Sequence, residues 1–185
     1  MAHRICPWWI GYFLLSPLRK LGQNPRDILA QHVCEGQTVL EPGPGMGFFT
    51  LELARLVGKT GRVVAVDIQA KMLERLKRRA QKAGVLERID ARLATPESLG
   101  LGDLVGRVNF TLAFAVVHEM PDAARFFREV AAASKSNATL LLAEPKGHVK
   151  EAHFGEELKL AAEAGFTLVI RPEIKRSHAA VLKKA

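Results

Sequence analysis

Short apolar runs alternate with helical patterns along most of this chain. From residue 24 onward, the runs are rich in valine, isoleucine and leucine without polar alternation, whereas the segments between them follow the helical period. Runs of this kind are typical of strands buried on both faces of a parallel sheet. Seven strands are predicted, at residues 38–42, 62–68, 89–94, 108–116, 138–145, 166–171 and 177–184.

The first helix carries both a start signal and a stop signal. Asn24 is its predicted N-cap, Pro25 occupies the first helical position, and Gly36 follows its end. Four more helices are predicted, at residues 47–58, 69–84, 122–134 and 154–165. Because helices between parallel strands cover both faces of a sheet, the pattern predicts a doubly wound α/β fold.

The end of the chain departs from this alternation. Only the short segment PEIKRSH separates the last two predicted strands. A parallel crossover needs roughly a dozen residues or more, so the final strand is expected to run antiparallel, in a hairpin. The predicted fold class is therefore a doubly wound, mostly parallel seven-stranded sheet with a C-terminal antiparallel hairpin strand.

Composition is consistent with a single globular domain, expected over residues 24–185. Of the 185 residues, 48% are hydrophobic and 25% are charged. Cys6 and Cys34 form neither a CxxC pair nor a zinc-ligand spacing, so no disulfide framework and no metal site are predicted. Reduced thiols are usual in the cytoplasm, which is the expected location.

Residues 1–23 are predicted to form a separate N-terminal aromatic cap segment. Its eleven-residue apolar run, ICPWWIGYFLL, is about half of what spans a bilayer. Arginine and lysine follow this run where a signal peptide would have small residues. Neither a transmembrane helix nor a cleaved signal is predicted.

The formal net charge of +8 is partly concentrated in residues 71–82 and 173–185. These segments are interpreted either as contacts for nucleic acid or anionic lipid, or as a solvated helix face and a basic tail.

The segment VLEPGPGMGFF contains the most informative motif. A buried strand ends at Glu41, and Gly43, Gly45 and Gly47 then turn the chain toward a helix. Glycines suit a turn that a ligand approaches closely and that needs positive φ angles. Phe48 stands where the dinucleotide fingerprint GxGxxG places its third glycine, which disfavours an NAD-dependent oxidoreductase.

Asp67 ends the second predicted strand, 24 positions beyond Gly43. An acidic side chain at this place can accept hydrogen bonds from both hydroxyls of a ribose. Together with the glycine turn, Asp67 predicts a ligand that contains a nucleoside.

These motifs also carry a family resemblance. LEPGPGMG, VVAVDI, FTLAFAVVHEMPD and LLLAEP, with the closing hairpin, resemble class I S-adenosylmethionine-dependent methyltransferases, above all the small bacterial and archaeal ones. The resemblance extends from about residue 36 to the C-terminus. It implies a Rossmann-like methyltransferase fold, S-adenosyl-L-methionine as cofactor, and transfer of its sulfonium methyl group.

The resemblance also implies a cofactor site. Glu41 would orient the methionine part above the three glycines, Asp67 would hold the ribose, and Ile68 would lie beside the adenine. Phe114 and Ala115 would line the methionine end.

Thr95 would lie in the adenine-reading loop. It stands where the family commonly has an aspartate, and Pro96 after it has no N–H to donate.

Three residues are candidates for the chemistry of transfer. His118, in the loop after the fourth strand, would flank the reactive end of the cofactor and act as a base near neutral pH. Glu144 and His148, beyond the fifth strand, would face the acceptor. The alternatives are that His118 helps to cap the next helix beside Asp122, and that residues 144–153 form an ordinary polar loop. The segment HEMPD lacks the second histidine of a zinc peptidase.

The favoured acceptor is small and partly apolar, because the chain has AFAV in place of the NPPY motif that holds a flipped base. Two alternatives stay open. One is an RNA methyltransferase that uses the basic surface, and the other is a non-catalytic module that only binds the cofactor.

Trp8, Trp9, Tyr12 and Phe13 are predicted to form a lid and part of the acceptor pocket, since the chain before the first helix commonly crosses the carboxyl ends of the strands in this fold. Plain packing against the flank of the sheet and a weak membrane-surface contact through Arg19 and Lys20 are the alternatives.

Overall fold

The computed structural model describes residues 23–185, so Trp8, Trp9, Tyr12 and Phe13 lie outside the described residues. Seven strands form one sheet in the order β3-β2-β1-β4-β5-β7-β6. The strands are β1 Thr38–Pro42, β2 Arg62–Asp67, β3 Ile89–Leu93, β4 Val108–Phe114, β5 Ser134–Pro145, β6 Phe166–Ile170 and β7 Ser177–Lys184. The α-helices of this region are α1 Pro25–Leu29, α2 Thr50–Leu56, α3 Ala70–Lys82, α4 Ala123–Ala133 and α5 Glu151–Glu163.

The strand directions confirm the predicted topology. Strands β1 to β5 pair in parallel, and β7 runs antiparallel to both β5 and β6. The carboxyl ends of β1, β2, β4 and β5 therefore meet at one edge of the sheet. The antiparallel β7 begins at this edge, where His178 is paired with Glu144.

Helices cover both faces of the sheet, as predicted. On one face, α1, α2 and α3 pack on alternate residues of the strands through side chains such as Leu29, Leu53 and Ala80. On the other face, α4 and α5 pack through side chains such as Phe127 and Phe154. The central strands are thus buried on both sides, which explains their apolar sequences.

The first helix confirms its predicted N-cap and is shorter than predicted. The side chain of Asn24 accepts a hydrogen bond from the backbone N–H of Arg26, and Pro25 begins the helix. The helix ends at Leu29, and turns carry the chain to Gly36, which has a φ of 82°.

Other element boundaries also differ from prediction: α2 covers Thr50–Leu56 rather than residues 47–58, and β4 ends at Phe114 rather than at residue 116. Strand β5 begins at Ser134 because the chain stays extended after α4, and its pairing with β4 shifts register between Val108 and Phe110. Helix α5 begins at Glu151, because the preceding Lys150 keeps an extended backbone and serves as the N-cap. Within residues 23–185, no helix is long and apolar enough to cross a membrane.

Candidate active site

The glycine turn lies directly beyond β1. Gly43, Gly45 and Gly47 all have positive φ angles, of 66°, 54° and 83°. A Cβ atom on Gly43 would lie 2.6 Å from Val116 Cγ2, and one on Gly47 would lie 2.6 Å from Leu76 Cδ1. A Cβ atom on Gly45 would meet nothing within 4 Å. Two glycines therefore serve close packing, whereas Gly45 faces open space at the edge of the sheet.

Helix α3 supports this turn from below. The guanidinium of Arg79 donates a hydrogen bond to the backbone carbonyl of Met46, and Leu76 packs under Gly47. Burial lowers the pKa of Arg79. One member of the basic segment 71–82 thus points inward and holds the turn, rather than presenting its charge to solvent.

Asp67 lies at the end of β2, next to the turn, with 8% of its surface exposed. Its Oδ1 accepts a hydrogen bond from the backbone N–H of Gln69, at 2.8 Å. Burial raises the pKa of Asp67 to about 6, although hydrogen bonds from the backbone of Gln69 and Gly45 oppose this rise. The structure thus places Asp67, the residue predicted to bind the ribose, next to the glycine turn.

Glu41 is the second acidic residue of this region, and 3% of its surface is exposed. Among residues 23–185, its Oε2 has no hydrogen-bond partner. Burial raises the pKa of Glu41 to about 8. A buried polar atom without a partner is uncommon and is a candidate contact for a bound ligand.

Apolar side chains lie exposed beside Asp67, on the side where the adenine was predicted. Ile68 is 36% exposed, and Leu93, which pairs with Asp67 across β2 and β3, is 61% exposed. Leu93 was not predicted as a site residue. Its only sequence signal is its position as the last apolar residue of β3.

Thr95 follows β3 and is exposed. Its hydroxyl oxygen accepts hydrogen bonds from the backbone N–H groups of Glu97 and Ser98, at 3.3 and 3.2 Å. The Thr95 side chain therefore shapes its own loop, a role that sequence reasoning did not foresee.

The end of β4 brings Phe114 and Ala115 to the same edge. The Phe114 ring packs on Phe49, the residue that precedes α2, with 4.5 Å between ring centroids. Ala115 has a φ of 56°, which is uncommon for a residue with a side chain. Its N–H donates to the carbonyl of Ala143 at 2.7 Å, and this bond accompanies the sharp turn into Val116.

The turn after β4 places His118 against the end of β5. The Nδ1 atom of His118 is hydrogen bonded to Oε2 of Glu144, which is fully buried. The other carboxylate oxygen of Glu144 accepts hydrogen bonds from the backbone N–H groups of Val116 and Val117, at 3.2 and 2.8 Å. This contact defines a histidine–carboxylate dyad, and Asp122, not His118, caps α4.

The surroundings of the dyad favour a charged imidazole. Burial lowers the pKa of His118, but the hydrogen bond and charge of Glu144 more than offset this effect and raise the pKa above its usual value. The Nε2 atom lies 4.0 Å from a carboxylate oxygen of Glu119, and the His148 ring lies 5.9 Å away, edge to face. The three predicted catalytic residues, His118, Glu144 and His148, therefore do lie together.

Glu157, on α5, is an additional buried carboxyl group near the dyad that was not predicted. It is 2% exposed, and neither of its side-chain oxygens has a hydrogen-bond partner in the described part of the chain. Burial, and then the charge of Glu144, raise its pKa to about 8, whereas His118 opposes the rise. Its sequence signal was its place between Phe154 and Ala161 on the buried face of the helix.

The donor set at this edge fits S-adenosylmethionine better than a metal ion. Asp67 offers a carboxylate beside an open glycine backbone, and Glu41 offers an oxygen that has no hydrogen-bond partner among the described residues. Residues 23–185 contain no cluster of three or more His, Cys, Asp or Glu side chains suited to a metal ion.

Comparisons with known proteins agree with this geometry. The family described as Methyltransferase domain matches residues 34–175, which is most of the chain. The ubiquinone/menaquinone biosynthesis C-methyltransferase UbiE of Escherichia coli is 38% identical over 71 residues, which are 38% of this chain and 28% of that enzyme. The chain thus matches less than a third of the length of this curated relative.

Two solved structures share the fold. A SAM dependent methyltransferase from Aquifex aeolicus has a TM-score of 0.85 and 22% identity, over 97% of this chain and 98% of that one. A SAM-dependent O-methyltransferase from Thermotoga maritima has a TM-score of 0.67 and 18% identity, over 100% of this chain and 68% of that one. Through the family match, the chain belongs to the class I S-adenosylmethionine-dependent methyltransferases, whose methyl donor is S-adenosylmethionine.

Proposed function

We propose that this methyltransferase acts on a small, partly apolar acceptor whose reacting atom must lose a proton. The observation that carries the proposal is the His118–Glu144 dyad at the carboxyl end of the sheet. A methyl acceptor that is already nucleophilic needs only alignment and exclusion of water, whereas a hydroxyl or an acidic C–H group also needs a base.

The cofactor site follows the edge of the sheet from β1 to β4. Asp67 accepts hydrogen bonds from the ribose hydroxyls, and Ile68 borders the adenine. The adenine loop, including Thr95, closes that side. Glu41 and the glycine turn hold the methionine end beside Phe114 and Ala115. When bound, S-adenosylmethionine supplies an activated sulfonium methyl group.

The dyad supplies the base. Glu144 accepts from Nδ1–H of His118, which fixes the tautomer in which Nε2 is free to take a proton. After Nε2 has taken a proton, the carboxylate stabilises the imidazolium. His148, whose ring contacts that of His118, restricts the ring from the acceptor side. Because His118 must be neutral to act, turnover is expected to rise as the pH rises through its pKa.

The printed name of UbiE describes a C-methyltransferase, and a carbon acceptor also loses a proton on methylation. This short match supports the class of acceptor that the dyad suggests.

The aromatic residues of the N-terminal segment are proposed to complete the acceptor pocket. Gln23, the first described residue, donates hydrogen bonds to the carbonyl of Lys175 and the hydroxyl of Ser177, at 3.0 and 3.2 Å. Ser177 begins β7 at the carboxyl edge of the sheet. Gln23, at the end of the N-terminal segment in the sequence, thus lies near the edge of the sheet that carries the dyad, and this supports the proposal.

Isothermal titration calorimetry tests the cofactor. The full chain is expected to bind S-adenosylmethionine and its demethylated product but not NAD. Binding of NAD alone would overturn the proposal. Binding of S-adenosylmethionine without transfer to any hydroxyl, acidic carbon, amine or thiol acceptor would favour a non-catalytic binding module.

Deletion of residues 1–20 tests the pocket. Turnover is expected to fall more than cofactor affinity. A collapse of both folding and cofactor binding would instead mean that the segment packs against the flank of the sheet.

An RNA acceptor is a second candidate, because α3 exposes five basic side chains: Lys71, Arg75, Lys77, Arg78 and Lys82. If RNA is the acceptor, binding of a single-stranded RNA should weaken steeply with salt, since phosphate contacts release counterions. Binding that does not change with charge reversal at Lys77 and Arg78 would remove this candidate.

A further inference from the structure

Glu157 has no role in the proposed reaction, yet it lies in a costly position. A buried carboxyl group whose two oxygens lack partners costs stability unless it stays neutral or serves a function. It occupies α5, the helix that packs over the dyad side of the sheet, and interacts electrostatically with both Glu144 and His118.

His153 connects Glu157 to the surface. It lies one turn earlier on α5, its Nε2 is 3.7 Å from Oε1 of Glu157, and its side chain is 62% exposed. Phe154, on the same buried face of α5 as Glu157, stacks on His178, which pairs with Glu144 across β5 and β7. This contact places the buried face of α5 at the end of β5 that carries Glu144, whereas His153 extends to solvent.

We propose that Glu157 is a positioning residue for proton transfer: it holds a proton while His118 is neutral and gives that proton to solvent through His153 when His118 becomes cationic. This inference rests on the proposed role of the dyad as a base. Glu157 acts through His118 and touches no reacting atom.

The charges of His118, Glu144 and Glu157 explain why the protonation of Glu157 should follow that of His118. Glu144 accepts hydrogen bonds from His118 and from two backbone N–H groups. The pKa of Glu157 is raised by burial and then by the charge of Glu144. A second anion beside it is costly while His118 is neutral, so Glu157 stays protonated. When Nε2 of His118 takes a proton from the acceptor, the new positive charge favours ionisation of Glu157.

Each proton in this scheme has a donor and an acceptor. One proton moves from the acceptor to Nε2 of His118, and one moves from the carboxyl group of Glu157 to Nε2 of His153 and then to water. To reset the site, Nε2 of His118 loses its proton to solvent and Glu157 regains one from solvent through His153, so that each turnover releases the one proton of the acceptor.

Other titratable groups lie around His118, Glu144, Glu157 and His153, and the test must leave them unchanged. Glu119 faces His118 from its own turn, and His148 faces it from the loop after β5. His178 on β7 directs its ring nitrogens to Glu151 and the carbonyl of Val149. None of these is altered in the variants below.

NMR titration of the His118 ring in the full chain, assigned with His118→Asn, tests the coupling without any turnover. Glu157→Gln should move the His118 midpoint to lower pH, by about one unit if the two groups titrate as a coupled pair. Glu156→Gln is the matched control, because Glu156 is exposed on the same helix and pairs with Lys159. It should leave the midpoint in place.

Two further results decide the inference. Glu157→Asp retains a carboxyl group, so the His118 midpoint should return part of the way to its wild-type pH. A purely structural role of Glu157 would not require this return. In an active preparation, the acid limb of the pH–rate profile should move with the NMR midpoint. An unchanged His118 titration in Glu157→Gln would overturn the inference.

The transfer of the Glu157 proton to solvent through His153 is tested separately. After a pH jump, the infrared carbonyl band of protonated Glu157, identified by its loss in Glu157→Gln, should disappear more slowly in His153→Gln than in the wild type. An unchanged rate would remove His153 from the route. If calorimetry showed no binding of S-adenosylmethionine, the proposed function would fail, whereas the NMR coupling could still be observed.

Discussion

The glycine-turn side and the dyad side of the same sheet edge are built in different ways. Residues 41–67 supply Glu41, the glycine turn and Asp67 within one continuous stretch. The dyad joins His118 to Glu144 across 26 positions, and Glu157 comes from a further helix. The conformation of the glycine turn is a property of local backbone, and Asp67 reaches this turn through the pairing of the neighbouring strands β1 and β2. The dyad side also requires β4 to pair with β5 and α5 to pack on the sheet.

This difference predicts separable functions. Changes on the glycine-turn side should alter cofactor affinity with little effect on the titration of His118. Changes at the dyad should alter turnover with little effect on cofactor affinity.

His118→Asn is expected to have the largest effect. Removal of a general base typically lowers kcat by about 10²–10⁴-fold, and cofactor affinity should stay near that of the wild type. Single-turnover methyl transfer with a responsive acceptor, together with calorimetry, measures both quantities. A loss of cofactor affinity equal to the loss of kcat would show that the two sides are not separate.

Asp67→Ala is expected to have the next largest effect, on the other side. Loss of charge-assisted hydrogen bonds worth about 1.5–3 kcal/mol should raise the Kd for S-adenosylmethionine roughly 10- to 100-fold. Calorimetry measures this change, and Asp67→Asn serves as the shape-matched variant. An Asp67→Ala protein that binds the cofactor as tightly as the wild type would remove Asp67 from the site.

Gly43→Ala and Gly45→Ala compare two glycines within one turn. Both require a strained positive φ, which costs of order 1–3 kcal/mol. Gly43→Ala should destabilise the protein more, because its Cβ would lie 2.6 Å from Val116 Cγ2. Thermal denaturation measures the order, and Val116→Ala should relieve part of the Gly43→Ala defect. Gly45→Ala should mainly weaken cofactor binding, because it projects a methyl group into open space.

The pH dependence of cofactor binding is the smallest expected effect. Burial raises the pKa of Asp67 to about 6, so its carboxylate is protonated below that pH and loses acceptor capacity for the ribose. The contribution of Asp67 to affinity should therefore be complete about one unit above pH 6 and should fall as the pH drops through 6, by at most about tenfold per pH unit. Calorimetry from pH 5 to 8 checks this, and Asp67→Asn should flatten the profile.

Several features were predicted because their causes are local in sequence. Asn24 was identified as an N-cap from its place before Pro25, and the structure shows its side chain bonded to the Arg26 N–H. The antiparallel β7 followed from the length of one connection. The glycine turn needed positive φ angles, which glycine adopts without strain.

Other features depend on contacts that no local pattern specifies. Thr95 stands where the family commonly has an aspartate, and its hydroxyl is used within its own loop. Glu157 looked like an ordinary helix residue, and only the packing of α5 on the sheet buries it, where it interacts electrostatically with Glu144. A buried charge acquires its protonation state from neighbours that are distant in sequence.

The sequence by itself determined the parallel sheet, the closing hairpin, the family and the Gly43–Asp67 region, because hydrophobic period and backbone conformation are set by neighbouring residues. Only the tertiary structure decided that His118 binds Glu144 and that Glu157 is buried with no hydrogen-bond partner among residues 23–185. The physical reason is that hydrogen bonds and electrostatic coupling depend on distance in space, which the order of residues along the chain does not fix.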